Sequence, residues 1–107
     1  MRFSVFVSQS QFEPLAKTTT TQLSNGDILH INSIGDRSYF LNNVFHREDG
    51  PAVELANGNK YWFINGKCHR EDGPALIYYS GHKEWYLNGE NISQKQFEQL
   101  MKLKAFW

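Results

Sequence analysis

Two identical stretches, His46-Arg47-Glu48-Asp49-Gly50-Pro51-Ala52 and His69-Arg70-Glu71-Asp72-Gly73-Pro74-Ala75, hold the side chains best suited to chemistry in this 107-residue chain. An imidazole, a guanidinium and two carboxylates within four positions can supply a base in His46, its orienting acid in Asp49 and an electrophile in Arg47. His46, Glu48 and Asp49, with His69, Glu71 and Asp72, also carry the donor types of a metal site. Spacing and duplication weigh against both uses. No nucleophile keeps a fixed offset, since Phe45 precedes one histidine and Cys68 the other. If each copy adds two strands about 4.8 Å apart, equivalent residues lie about 10 Å apart. Two histidines at that distance cannot share an ion bound at ~2.1 Å, and adjacent Glu and Asp seldom converge on one centre. A group required once per copy is expected to build the copy. The loops are therefore expected to be turns, with glycine supplying a permissive φ and proline starting the next strand. In that reading Asp49 and Asp72 bond nearby backbone N–H groups, and Arg with Glu forms an exposed ion pair worth ~0–1 kcal/mol. No catalytic residue, metal ligand or cofactor is assigned.

The elements that would hold these loops repeat at the same interval of 23. Gly35, Gly58 and Gly81 fall in step, as do Tyr39, Trp62 and Trp85, then Phe40, Phe63 and Tyr86, then Asn42, Asn65 and Asn88. A period of this size marks an array whose units cannot bury their apolar faces alone. Residues 60–64 and 83–87 are aromatic and branched, which suits a pleated surface. Each run ends in Asn-Gly, the strongest short hairpin signal. Residues 53–56 and 76–79 read as the second strand of each unit, closed by Asn57-Gly58 and Ser80-Gly81. A further hairpin, 19–23 with 28–32, flanks Asn25-Gly26. The expected fold is mainly β, an antiparallel meander of tandem 23-residue β-hairpin repeats with a C-terminal capping α-helix.

Alternation assigns faces to these strands. Tyr39, Leu41, Trp62, Ile64, Trp85 and Leu87 share one, with Val53, Leu55, Leu76 and Tyr78 joining them. Phe40, Phe63 and Tyr86 point the other way, with Tyr61, Ile77 and Tyr79 nearby. Sixteen aromatic residues, most of them in the repeat, thus furnish both faces, whereas a sheet usually keeps one face wet. At the ends, residues 1–8 read as a strand and 9–17 as a linker. Ser93-Gln94-Lys95-Gln96 has the form of a capping box, and Phe97, Leu100, Met101 and Lys104 follow at helical spacing. The helix spans 93–105, with Phe97, Leu100 and Met101 inward and Phe106-Trp107 as an apolar plug. The organisation is a single domain: 1–17 strand and linker, 18–91 array, 92–107 helix.

Composition narrows the function. Eleven basic residues balance eleven acidic ones, so no basic field gathers nucleic acid or an anionic membrane. One cysteine, Cys68, permits no disulfide within the chain and suits a reducing compartment. Because Phe45 is its counterpart, the position reads as an apolar strand residue. The first eight residues are too short and polar for a secretory segment, and the expected location is the cytoplasm.

The run Asn57-Gly58-Asn59-Lys60-Tyr61-Trp62-Phe63-Ile64-Asn65-Gly66-Lys67, with His69 two positions on, resembles MORN repeats, whose units are β-hairpins stacked into an elongated sheet. Trp-Tyr-Leu-Asn-Gly with His-Arg-Glu-Asp-Gly-Pro-Ala is similar to a MORN-like variant of bacterial, bacteriophage and large DNA virus proteins. The resemblance covers residues 38–89 and departs from standard units where those have His-Gly-x-Gly. It implies the hairpin array, and its bacterial variants imply an antitoxin-like option.

These observations point to a non-enzymatic protein-binding module, with Phe40, Tyr61, Phe63, Tyr86 and Tyr79 as the partner-binding face, since aromatics dominate interface hot spots. The implied partner is a protein, such as a host or defence protein bound stoichiometrically by a phage-encoded or mobile-element inhibitor, and the chain is a monomer or homodimer. The alternatives are an antitoxin-like or structural assembly protein and, in another class, a small enzyme using the His-Arg-Glu-Asp loops. A protein captured from host lysate separates the first two from the third.

Overall fold

Two kinds of chain reversal, one at each end of the strands, set the architecture. The structure, a computed structural model, describes residues 18–104. At one end, Gly26, Gly35, Gly58 and Gly81 close their turns in the same way. The Gly58 N–H donates to Leu55 O at 2.9 Å, while the Leu55 N–H donates to Asn59 O at 2.9 Å, and the other three repeat this pattern. Their φ values of +94° to +103° lie where a side chain is strained, which makes each a glycine-bulge hairpin. At the other end Asn65-Gly66 and Asn88-Gly89 have positive φ at both positions, the two-residue hairpin expected from Asn-Gly. Asn42-Asn43 makes the same reversal without glycine, at φ 53° and 66°, because asparagine tolerates that region best among side-chain-bearing residues.

The reversals connect β1 (Thr19–Gln22), β2 (Ile28–Ile31), β3 (Arg37–Leu41), β4 (Val44–Phe45), β5 (Val53–Glu54), β6 (Lys60–Tyr61), β7 (Phe63–Ile64), β8 (Lys67–Cys68), β9 (Leu76–Ile77), β10 (Lys83–Leu87) and β11 (Glu90–Ile92), followed by α1 (Gln94–Lys104). All strand pairs are antiparallel. The main sheet runs β1-β2-β3-β5-β6-β9-β10-β11, with β4 beside β3 and the β7–β8 ribbon apart. The protein is thus a mainly β domain: an antiparallel meander with a single C-terminal helix among the described residues. The expected strand over residues 1–8 and the plug at Phe106-Trp107 lie outside those residues.

The strands are shorter than periodicity predicts, for two reasons. Opposite Tyr39 the neighbouring chain leaves the sheet at His46 and returns at Ala52: the His46 N–H donates to Tyr39 O (3.0 Å), and the Tyr39 N–H donates to Ala52 O (2.7 Å). His69 and Ala75 do the same across Trp62, at 3.0 and 2.8 Å. The seven-residue motif is therefore a large bulge bridged by a single aromatic residue. It breaks the predicted strand 60–64 into β6 and β7 at Trp62. The predicted strands 53–56 and 76–79 shrink to β5 and β9 because the glycine-bulge turns begin at Leu55 and Tyr78.

The described residues extend 58 × 31 × 19 Å, which leaves room for one sheet layer and a helix rather than two packed sheets. Among the described residues the buried apolar ones are few, Tyr39, Ala52, Val53, Ala75 and Phe97, and no large side chain is fully buried. Trp62 and Trp85 are half-buried, so they are not the sealed core that their repetition suggests. Both repeated alanines are completely inaccessible, and a larger side chain there would push the bulge off the sheet.

Ser93 caps α1 as expected. Its Oγ accepts the Gln96 N–H at 3.1 Å, and Gln96 Oε1 accepts the Ser93 N–H at 3.0 Å. The reciprocal pair satisfies two helix N-terminal donors. Lys102 and Lys104 sit in the last turn, where they complement the helix dipole. The helix packs against β10 with Phe97 buried. Leu100, expected inward, is 41% exposed, because only one narrow stripe of the helix meets the sheet. By the 23-residue interval, α1 begins where a third bulge would start, with Ile92 in the histidine's place.

Candidate functional site

Each bulge is closed by its own side chains. The Arg47 guanidinium lies 4.0 Å from the centre of the Tyr39 ring, and that of Arg70 lies 3.9 Å from the centre of Trp62. Arg47 Nε donates to Asp49 Oδ1 (3.1 Å) and its Nη1 to Pro51 O (3.1 Å). Arg70 does the same with Asp72 (2.8 Å) and Pro74 O (3.0 Å). The predicted Arg–Glu pairs are therefore Arg–Asp pairs, and the aspartates bind guanidinium rather than backbone N–H. Arg47 reaches a glutamate only outside its motif, Glu54 at 3.5 Å.

The motif glycines have a different role from the one expected. Gly50 and Gly73 do not adopt positive φ. A Cβ at Gly50 would sit 3.0 Å from Arg47 Cζ, and one at Gly73 3.1 Å from Arg70 Cζ. Glycine leaves room for the folded-back guanidinium, which a Cβ would press by a few tenths of an ångström.

The histidines link one hairpin to the next. His46 Nδ1 accepts the Asn65 N–H at 2.9 Å, and His69 Nδ1 accepts the Asn88 N–H at the same distance. The acceptor role leaves the proton on Nε2, which faces Glu48 (3.5 Å) and Glu71 (3.2 Å). His46 is 3% exposed, so replacing it is expected to cost more than the modest amount a turn residue would. Burial first, and then the Lys104 ammonium, lower the His69 pKa from its ordinary 6.5. Lys104 from α1 pairs with Glu71.

Between the two bulges and α1 lies an open groove of about 870 Å³, floored by Trp62 and Ile64 and walled by both Arg-Glu-Asp runs, Met101 and Lys104. Within it the His69 Nδ1 holds the Asn88 N–H, and the guanidinium groups hold the Pro51 and Pro74 carbonyls. Among the described residues no three His, Cys, Asp or Glu side chains are grouped to hold an ion. Cys68 is half-buried, and burial first, then the Glu84 carboxylate, push its thiol up to about 11. It is no thiolate at neutral pH.

The sheet surface opposite the arginines carries a second set of aromatic residues. In β3 the side chains alternate, so Phe40 points away from Tyr39 and Arg47. Its ring lies 4.9 Å from Phe45, which lies 5.3 Å from Phe63, and His30 meets Phe40 edge-on at 5.1 Å. Phe40 and Phe63, assigned to one face, are thus joined through Phe45, whose aromatic role sequence reasoning missed. Tyr61 packs against Tyr78 at 5.8 Å; alternation puts the two on opposite faces, and the difference follows from the turn that starts at Tyr78. Tyr79 is 74% exposed at a turn tip, away from the phenylalanine row. The Tyr86 hydroxyl donates to Glu84 at 3.4 Å.

A second set of hairpin-to-hairpin bonds carried no sequence signal. Asp36 Oδ1 accepts the Ala56 N–H (2.7 Å), and Asn59 Oδ1 accepts the Tyr79 N–H (2.9 Å). Both span 20 residues, and both acceptors follow a turn glycine. The Ala56 N–H first, and then the Asn32 amide, lower the Asp36 pKa from its ordinary 3.8. Comparison of the chain with family models, with characterised proteins and with solved structures finds no match.

Proposed function

We propose that the chain is a non-enzymatic protein-binding module, an array of tandem 23-residue MORN-like hairpin units capped at its C-terminal end by α1, acting in the cytoplasm. The observation that carries this reading is the row Phe40–Phe45–Phe63, stacked across successive hairpins and left half-exposed on a single-layer sheet. A row of rigid rings offers large contact area at little cost in rotamer entropy. The opposite face argues against catalysis, because its histidines, arginines and aspartates are engaged in holding the bulges closed. The matching contacts of the two motif copies support the tandem-unit reading. The resemblance to the phage and bacterial variant extends it to stoichiometric occlusion of a host or defence protein by a phage-encoded or mobile-element inhibitor.

The test compares three immobilised proteins in lysate from the host: wild type, Phe40→Ser/Phe63→Ser on the aromatic row, and Glu48→Gln/Glu71→Gln in the groove. Circular dichroism first establishes that all three are folded. The proposal expects one protein captured in stoichiometric amount by the wild type and the groove variant and lost from the row variant. Capture lost from the groove variant and kept by the row variant would overturn it.

A further inference from the structure

The two bulge histidines do the same thing at successive seams of the sheet, and their geometry makes that role conditional on pH. Each Nδ1 accepts a backbone N–H from the next hairpin turn, at Asn65 and at Asn88. Neither asparagine N–H has another backbone acceptor among the described residues. Protonation at Nδ1 would set one N–H against another, replacing a hydrogen bond by a repulsion of donors. We propose that His46 and His69 form an acid-triggered latch between successive hairpins: neutral, they join them; protonated, they release them.

The surroundings decide the direction. Around His46 the charged group is the exposed Glu48 carboxylate, 3.5 Å from Nε2, while Tyr39 and the Asn65 turn present only backbone and ring. Around His69 the facing groups are Glu71 from its own bulge and Lys104 from α1; Arg47, Glu48, Asp49, Arg70 and Asp72 share the groove. The carboxylates face Nε2 rather than Nδ1. Among the described residues the partner at each Nδ1 is an asparagine N–H, itself a donor. Burial and Lys104 further disfavour a charged His69. The sign follows from linkage. For His69, whose folded pKa is lowered, the unfolded chain binds the proton more readily, so that bond is fully effective above about pH 6.5 and is lost as pH falls through the lower folded value. The Phe45–Phe63 contact spans the first seam, so opening it would also split the aromatic row.

The experiment is urea unfolding of the full chain from pH 7.5 to 5.0, for the wild type and His46→Asn/His69→Asn. Asparagine places Oδ1 where Nδ1 was, so it accepts the same N–H without titrating. The wild-type folding constant should fall by about tenfold or more between pH 7 and 5, with a flatter profile in the variant; His30 and His82 are common to both. Parallel profiles would overturn the proposal. If the variant does not fold, nitrogen-15 NMR of the wild type decides instead. Nε2–H tautomers at pH 7.5, with Asn65 and Asn88 amide signals moving as the imidazoles titrate, support the latch. An Nδ1–H tautomer, or asparagine signals indifferent to the titration, refutes it.

Discussion

Removing Arg70 should unfold the second bulge, and the cost can be assembled from its contacts. The guanidinium stacks at 3.9 Å over Trp62, donates to Pro74 O at 3.0 Å and pairs with Asp72 at 2.8 Å. A partly desolvated cation–π contact contributes about 1 kcal/mol. A charged donor to a carbonyl adds about 1.5 kcal/mol. The pair with Asp72, a side chain 86% exposed, adds only about 0.5 kcal/mol after solvent screening. Arg70→Ala should therefore cost about 3 kcal/mol, a fall in Tm of roughly 12–24 °C for a domain near 100 residues. Arg70→Lys keeps the charge but loses the planar fork that serves ring, carbonyl and carboxylate together, and it should lose more than half of that stability. Thermal unfolding followed by circular dichroism measures both. An Arg70→Ala protein within about 0.5 kcal/mol of wild type, in the range of ordinary surface changes, would refute the reasoning and free the arginines for another role.

Three further outcomes follow from individual contacts. Gly73→Ala should destabilise the wild type by roughly 1–2 kcal/mol, as overpacking does. It should be neutral or slightly stabilising in an Arg70→Ala background, where the Cβ has space and φ is ordinary; a double-mutant cycle reads the difference. Asp36 has a folded pKa below 3.8, so its contribution is present above that value and is lost as pH falls through the folded one. Acid unfolding of Asp36→Asn, which carries the residue found at the equivalent position 59, should lack that component. Cys68, half-buried and with its thiol raised to about 11, should react with an electrophilic thiol reagent at pH 8 more slowly in the folded chain than in urea.

What the sequence makes legible here is what is local. Asn65-Gly66 and Asn88-Gly89 announce hairpins because only a few residues tolerate paired positive φ, and Ser93 with Gln96 announces a helix start because both bonds close within one turn. The meander and its helix follow from these signals. The break at Trp62 does not, because alternation continues through it and only the return of Ala75 to the sheet reveals the bulge. The reason for Gly50 and Gly73 was hidden too, since it depends on an arginine three residues earlier folding back over a ring on another strand. Asp36 and Asn59 act across 20 residues on a backbone N–H, a bond that leaves no mark in side-chain pattern. The repeated loop suggested structure rather than catalysis, but its fastening, through imidazole Nδ1 and stacked guanidinium, appears only in three dimensions.

The most direct test of the loops as fasteners is amide hydrogen exchange at Asn65 and Asn88 at neutral pH. Both residues are exposed at turn tips, so only the imidazole acceptors at 2.9 Å would slow them. Exchange should be slow at both in the wild type, fast at Asn65 alone in His46→Ala and fast at Asn88 alone in His69→Ala, provided each variant remains folded. Rates typical of open turns at both amides in the wild type would contradict the account.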